Sequence, residues 1–436
     1  MTAPSDRPTA TGLARRLGLF DAVVVGAGSM IGAGVFSAWG PAANAAGAGL
    51  LFGLVIAAVV ALCNATSSTQ LAAVHPESGG TYVFARRQLA PSWGHLAGWS
   101  FIVGKTASCV ALALTAGEYL WPDHARPVAI IAVALVAVVN IGGLSRTVAV
   151  TKCLLIVAIT ALAAVIVAGW SASTTSLSRI TPIDTTVGGT LRSAGFLFFA
   201  FAGYARIATL GEEVRDPAVT IPRAIPRALG VVLVIYAAVG VTLLATVPVD
   251  TIAASDAPLD LVVDASRFDL LSPVVRIGAG IAALGVLLNL IPGISRTVLA
   301  MARRHELPHW FAAVDERRSI PLRAEAAITV VVIALTATVD LRGAIGFSGV
   351  TILTYYAITN AASLTLQAHE RRWPRSVAII GIAGCLILAV ALPLAAILTG
   401  TAVLVVGVTV GRFTRNKAEP GRPIRRRRGR RVRDRG

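Results

Sequence analysis

The chain has 436 residues, of which 55% are hydrophobic and only 14% charged, with a mean hydropathy of +0.74. A chain that oily cannot fold around one aqueous core, so its solvent is lipid. The net charge of +17 would ordinarily suggest nucleic acid, but twelve Lys and Arg against Glu419 and Asp434 put +10 of it at or beyond Arg412, which reads as the basic end of a membrane protein.

Residues 1–18 read as a retained cytoplasmic amino terminus, because the first apolar run lacks a small-residue cleavage pattern and leads straight into further spans. Residues 22–74 contain no Asp, Glu, Lys or Arg, and uncharged runs of that kind are expected to cross the bilayer. At ~20 residues per crossing, spans are expected at 19–39, 47–72, 94–119, 127–144, 147–169, 190–211, 227–247, 273–299, 324–340, 343–366, 376–393 and 395–411, twelve in all. Pro393 separates the last two, which are short enough to leave a re-entrant pair open. The four cysteines, Cys63, Cys109, Cys153 and Cys385, lie in apolar segments as small hydrophobes, and imply neither disulfide nor metal.

The first span is interrupted by Gly26, Gly28, Gly32 and Gly34 around Ser29, Met30, Ile31 and Ala33. A dinucleotide-binding turn is excluded there, since the spacing is wrong and no acid follows before Glu77 to hold a ribose. The glycines instead read as an unwound half-helix, whose exposed amides and partial positive charge suit a carboxylate. Close packing through small residues is the structural alternative. Lys105, between Gly104 and Thr106 in the third span, is a charge inside the bilayer with no obvious carboxylate partner in sequence. Lys152 follows Thr151 near the start of the fifth, where it either snorkels to the surface or is desolvated toward a titratable pKa. The sixth span holds Phe198, Phe199, Phe201, Ala202, Gly203 and Tyr204 before Arg206, so aromatics surround a second glycine break whose carbonyls suit an ammonium. Lys105 and Arg206 are expected either as cavity charges or as structural charges neutralised by Glu118, Glu212 or Glu213.

The loop after the seventh span carries Asp250, Asp256, Asp260, Asp264 and Asp269 against Arg267, whereas Arg15, Arg16, Arg86, Arg87, Arg303, Arg304, Arg317, Arg318, Arg371, Arg372, Arg375 and the tail fall together on the other side. The basic side is the cytoplasm, and both termini lie there. His305-Glu306-Leu307-Pro308-His309 spells a zinc-protease signature. That chemistry needs both histidines on one helix, and Pro308 breaks it. No phosphate-binding GxxxxGK[ST] occurs, so ATP-driven pumping lacks support.

The first break, Pro76 to Tyr82, the second break with Glu212 to Pro217 and Ile221 to Ala224, Ser295-Arg296, Met301 to Arg303 and Leu307-Pro308 together resemble the amino acid, polyamine and organocation transporter superfamily, from about residue 20 to 375. The resemblance implies an all-α membrane protein of twelve helices that is not an enzyme and uses no cofactor. Residues 19–411 would form the transporter domain, with 19–169 and 190–366 as a five-plus-five inverted repeat, 376–411 as two extra helices and 412–436 as a disordered basic tail near anionic lipid. It further implies that backbone from Ser29 to Gly34 and from Phe201 to Tyr204 holds an amino acid's carboxylate and amine. In relatives a lysine in the fifth span is thought to couple transport to protons, a role that falls on Lys152. The expected function is proton-linked secondary transport of amino acids or related zwitterions in a plasma membrane. An exchanger or a polyamine carrier is the nearest alternative, with a zinc protease at 305–309 the one from another class. Two departures bear on the substrate: Lys105 stands where some cationic amino acid carriers have an acid, and Ala205 where many relatives have one.

Overall fold

In lipid, an apolar run can satisfy its backbone N–H and C=O groups only within itself, as a helix. The structure, a computed structural model, describes residues 17–75, 79–142, 148–181, 185–204, 207, 214–315 and 320–418. The described residues are helical apart from connecting turns and two isolated bridges, Leu17 to Val214 and Asp315 to Ile320. Ala205, Arg206, Glu212, Glu213, Arg317, Arg318, residues 1–16, 76–78 and everything from 419 onward lie outside the described residues.

In chain order the helices are α1 (Leu19–Met30), α2 (Ala33–Ser37), α3 (Trp39–Ala46), α4 (Leu50–Val74), α5 (Thr81–Gln88), α6 (Pro91–Leu120), α7 (Ala125–Ile141), α8 (Val148–Ser171), α9 (Val187–Phe201), α10 (Pro217–Thr246), α11 (Val249–Ala254), α12 (Asp260–Asp264), α13 (Ser272–Arg303), α14 (Leu322–Thr338), α15 (Leu341–Leu364), α16 (Arg375–Ala391) and α17 (Leu394–Ala418). Among the described residues seven helical runs are long and apolar enough to cross a membrane, and α1, α9 and α16 are shorter apolar helices. The chain is therefore a multi-pass helical membrane protein. One of the seven runs, Trp39–Val74, joins α3 to α4 through a 3-10 turn at Gly47–Gly49, where Gly47 has φ +56.

Two boundaries differ from expectation. The seventh span begins at Pro217 instead of residue 227, because Pro222 and Pro226 sit inside α10. Each proline removes one backbone donor, and membrane helices tolerate that loss where neighbours resatisfy the freed carbonyls. At the other end, α17 continues to Ala418, past the expected end at residue 411. Neither Gly nor Pro occurs between Arg412 and Ala418, and Pro420 is the first breaker.

Burial is inside out relative to a water-soluble protein. Val55, Val59 and Leu62 of α4, Ile131, Leu135 and Val138 of α7, and Ile379, Ile380, Leu386, Ile387 and Val390 of α16 are exposed at helical spacing, as a lipid-facing surface requires. Polar side chains face inward and join helices. Asn360 Nδ2 of α15 donates to Asn64 Oδ1 of α4 at 2.6 Å, and Gln70 of α4 bonds Ser363 of α15. The core is built on α6, packed against α13 and α15, while α1 packs on α8 and α10, α9 on α3 and α4, and α2 on α6, α9 and α13. Both interrupted helices are thereby enclosed by long uninterrupted ones.

Candidate functional site

Unwinding in the first span is short. Ile31 still donates to Ala27 O at 2.8 Å, but at Ile31 (φ −76, ψ 84) and Gly32 (φ −148, ψ −147) the backbone leaves the helix, and α2 starts at Ala33. The first N–H groups of α2, on Ala33 and Gly34, belong to a helix start and have no acceptor within the helix. Gly34 is held against the second interrupted helix, for a Cβ there would overlap the Ala200 backbone.

In the second span α9 ends at Phe201, and turns follow in which Ala202 N bonds Phe199 O and Tyr204 N bonds Phe201 O, both at 3.3 Å. The two interruptions abut, since a Cβ on Gly203 would overlap the carbonyl of Ser29 and the amide of Met30. Ser29 itself turns its hydroxyl back onto Val25 O at 2.8 Å. Phe198, Phe201 and Tyr204 are fully buried, as is Phe36. Tyr204 stacks on Tyr356 of α15 at 5.1 Å between centroids, with Phe198 edge-on to the same ring at 5.8 Å.

Two tyrosines outside the expected site complete it. The Tyr236 hydroxyl of α10 lies 2.7 Å from Met30 O and 3.1 Å from Ala200 O, so one O–H serves the carbonyls of both interruptions. From α15, the Tyr356 hydroxyl donates to Ala202 O at 3.2 Å. All six tyrosines of the chain are buried. The sequence carries only the general signal that a phenol in an apolar span needs an internal partner, and it does not say which carbonyl that partner is.

Lys105 is buried, and its ammonium donates to Ala202 O at 3.2 Å. It therefore does face the second interruption, through a carbonyl and not through Glu118. Lys152 is elsewhere: its amine is 2.8 Å from Asp21 Oδ1 in the first turn of α1, and its side chain is 42% exposed. Behind the first break a cavity of ≈ 10 Å³ is lined by Gly28, Ile31, Leu154, Leu155, Ala282, Gly285, Val286 and Asn289, so leucines are what α8 contributes there. Room for about one water is the scale of that volume.

At the other end of α6 from the loop that follows α10, the 305–309 motif serves another purpose. α13 ends at Arg303, and His305 has φ +58, so its two histidines do not share a helix turn. Glu306 pairs with Arg86, accepts from the Tyr82 hydroxyl at 2.9 Å, and has His95 Nδ1 3.6 Å away. Burial works to raise the Glu306 carboxyl, but the His95 ring, the Arg86 guanidinium and the Tyr82 hydroxyl outweigh it and hold it below its ordinary value. The loop after α10 is folded back on the core: Leu259 N donates to Tyr119 Oη at 3.1 Å, and that hydroxyl donates to Phe36 O at 2.7 Å.

Comparison with known proteins gives one consistent answer. The amino acid permease family matches residues 17–411. The chain is 54% identical over 397 residues to an uncharacterised transporter of Mycobacterium tuberculosis (strain H37Rv), covering 91% of this chain and 90% of that one. It is 24% identical to the branched-chain amino acid permease BcaP of Bacillus subtilis, over 84% of this chain and 83% of the permease. It is also similar to cationic amino acid transporter 1 of Arabidopsis thaliana, at 28% identity over 73% of this chain and 56% of the transporter.

Proposed function

The chain belongs to the amino acid permease family, and on that footing we propose that it carries amino acids, or zwitterions close to them, across a plasma membrane by proton-coupled secondary active transport. The observation that carries the reading is the meeting of two helix interruptions, Gly203 against Ser29, inside a shell of long helices. Interrupted helices in matching places of two halves are where secondary transporters bind their solute. The proposed architecture has twelve crossings, with 19–169 and 190–366 as an inverted five-plus-five repeat and 376–411 as an added pair. Both termini are cytoplasmic, and the basic end from 412 lies near anionic headgroups.

In the proposed pose the solute carboxylate meets amides between Gly32 and Gly34, where the start of α2 adds a partial positive charge. Its remaining polar groups face the turn from Phe201 to Tyr204. Lys152 is the proposed proton carrier. Its pairing with Asp21 ties its amine to the base of α1, so a change of charge at Lys152 is felt directly by the interrupted span.

Uptake of a radiolabelled amino acid panel into proteoliposomes, under an inward proton or sodium gradient, tests both parts. Proton-driven accumulation that vanishes in Lys152→Ala is the expected result. Sodium-driven uptake, or accumulation untouched by the substitution, removes Lys152 from the mechanism and leaves the transport reading intact.

A further inference from the structure

A carbonyl oxygen has two lone pairs, and at Ala202 both are engaged, one by the Lys105 ammonium and one by the Tyr356 hydroxyl, each at 3.2 Å. Ala202 O is the carbonyl at the very end of α9, where the second interruption begins. The place at which an incoming ammonium would dock thus already holds a fixed one. Met30 O, its counterpart in the first interruption, is likewise taken by Gly32 N at 2.9 Å and by Tyr236.

Among the described residues nothing compensates the Lys105 charge. Among the described residues its ammonium makes that one hydrogen bond and no ion pair. The described polar groups around it are neutral: Tyr356 shares its carbonyl, and one turn further along α6 Ser108 bonds Ser348 at 2.8 Å. A buried cation without a counter-charge is costly, and an anionic group that pairs with it on binding offsets part of that cost. A zwitterion brings no net charge to it, and a cationic solute adds repulsion.

We propose that Lys105 is a specificity-determining counter-charge, and that the preferred solute has a net charge of −1: a carboxylate in excess of what its own ammonium balances. An amino dicarboxylate meets the requirement with one carboxylate at the start of α2 and the second at Lys105. A monocarboxylate without an amine meets it too, with Lys105 standing in for the missing ammonium. The inference rests on the transport reading above, and it sets this chain apart from relatives named for cationic amino acids.

The test is equilibrium binding by thermal shift, and counterflow in proteoliposomes, of the purified full-length chain with L-glutamate, L-aspartate, 2-oxoisocaproate, L-leucine and L-arginine. At least one of the three anions is expected to bind more tightly than leucine, with arginine weakest. Glutamate or aspartate ahead of the oxoacid identifies an amino dicarboxylate, and the reverse order an amine-free acid. In Lys105→Met the favoured anion should lose about tenfold or more in affinity, the scale of one charge-assisted hydrogen bond, and Lys105→Arg should restore the preference. Leucine or arginine binding as tightly as every anion in the wild type overturns the proposal, whatever the variants do, and leaves the transport reading standing. A reconstituted protein that moves none of the five compounds sinks the transport reading, and this inference with it.

Discussion

Gly203 rests on the carbonyl of Ser29, at a distance that leaves no room for a side chain on Gly203. Both partners are main chain and cannot swing aside as a flexible side chain would. Gly203→Ala is therefore expected to push the two interruptions apart, at a cost of about 1–3 kcal/mol for overpacking. Uptake should fall by about tenfold or more, since each 1.4 kcal/mol is a factor of ten. A Gly203→Ala protein that unfolds and transports like the wild type would show that the two breaks do not touch.

Tyr236 holds both interruptions from α10 with a single hydroxyl. Tyr236→Phe keeps the ring packed at 5.2 Å from Phe201 and removes only the hydrogen bond. The expected loss is about 1 kcal/mol, read as a lower unfolding temperature in detergent. Phenylalanine without any effect on either stability or transport would mean that the hydroxyl is idle.

Lys152 and Asp21 form a partly exposed pair, and exposed pairs contribute only about 0.2–1 kcal/mol to stability. Lys152→Ala and Asp21→Asn should thus barely move the unfolding temperature. If the pair couples protons, both variants still abolish gradient-driven accumulation while counterflow persists. A loss of counterflow equal to the loss of accumulation would reassign Lys152 to folding or binding.

Two carboxyls outside the spans give stability opposite dependences on pH. Glu306 is held below its ordinary value, so its contribution is full above its unfolded pKa of 4.5 and is lost as pH falls through the lower folded value. Asp260, near Arg276 at 3.9 Å, is pushed up to about 6 by burial and by Asp264, with Arg276 opposing. Ionising it works against the folded state, so stability from this group falls as pH rises from 3.8 through about 6. Thermal scans between pH 3 and 7 should show Glu306→Gln flattening the acid limb and Asp260→Asn flattening the decline toward pH 6. An unchanged profile in Glu306→Gln would mean that Arg86 and Tyr82 do not grip an ionised carboxylate.

Much of this was legible in the chain because lipid imposes simple rules. Uncharged runs marked the helices, and glycine clusters at 26–34 and at Gly203 marked where two of them stop. The partners of those breaks were not legible. Tyr236 and Tyr356 come from helices far along the chain, and nothing local distinguishes a phenol that bridges two carbonyls from one that only packs. Lys105 was visible as an intramembrane charge, but its partner is a carbonyl, which every residue carries. Glu306 sat inside a misleading motif whose meaning depends on Arg86 and Tyr82, brought in by α5. Pro222 and Pro226 lie inside α10 although proline is poor in an isolated helix, because α10 is braced by α1, α4 and α8.

Tyr119 receives the amide of Leu259 on the same oxygen whose hydrogen it gives to Phe36. A phenol turned away from Phe36 cannot keep its lone pair aimed at Leu259, so the loop after α10 and the second half of the first span are clasped by one rivet. Any opening toward that face would then be a single event with two consequences. A reporter placed on the loop near Leu259 would register movement of the broken helix without touching it.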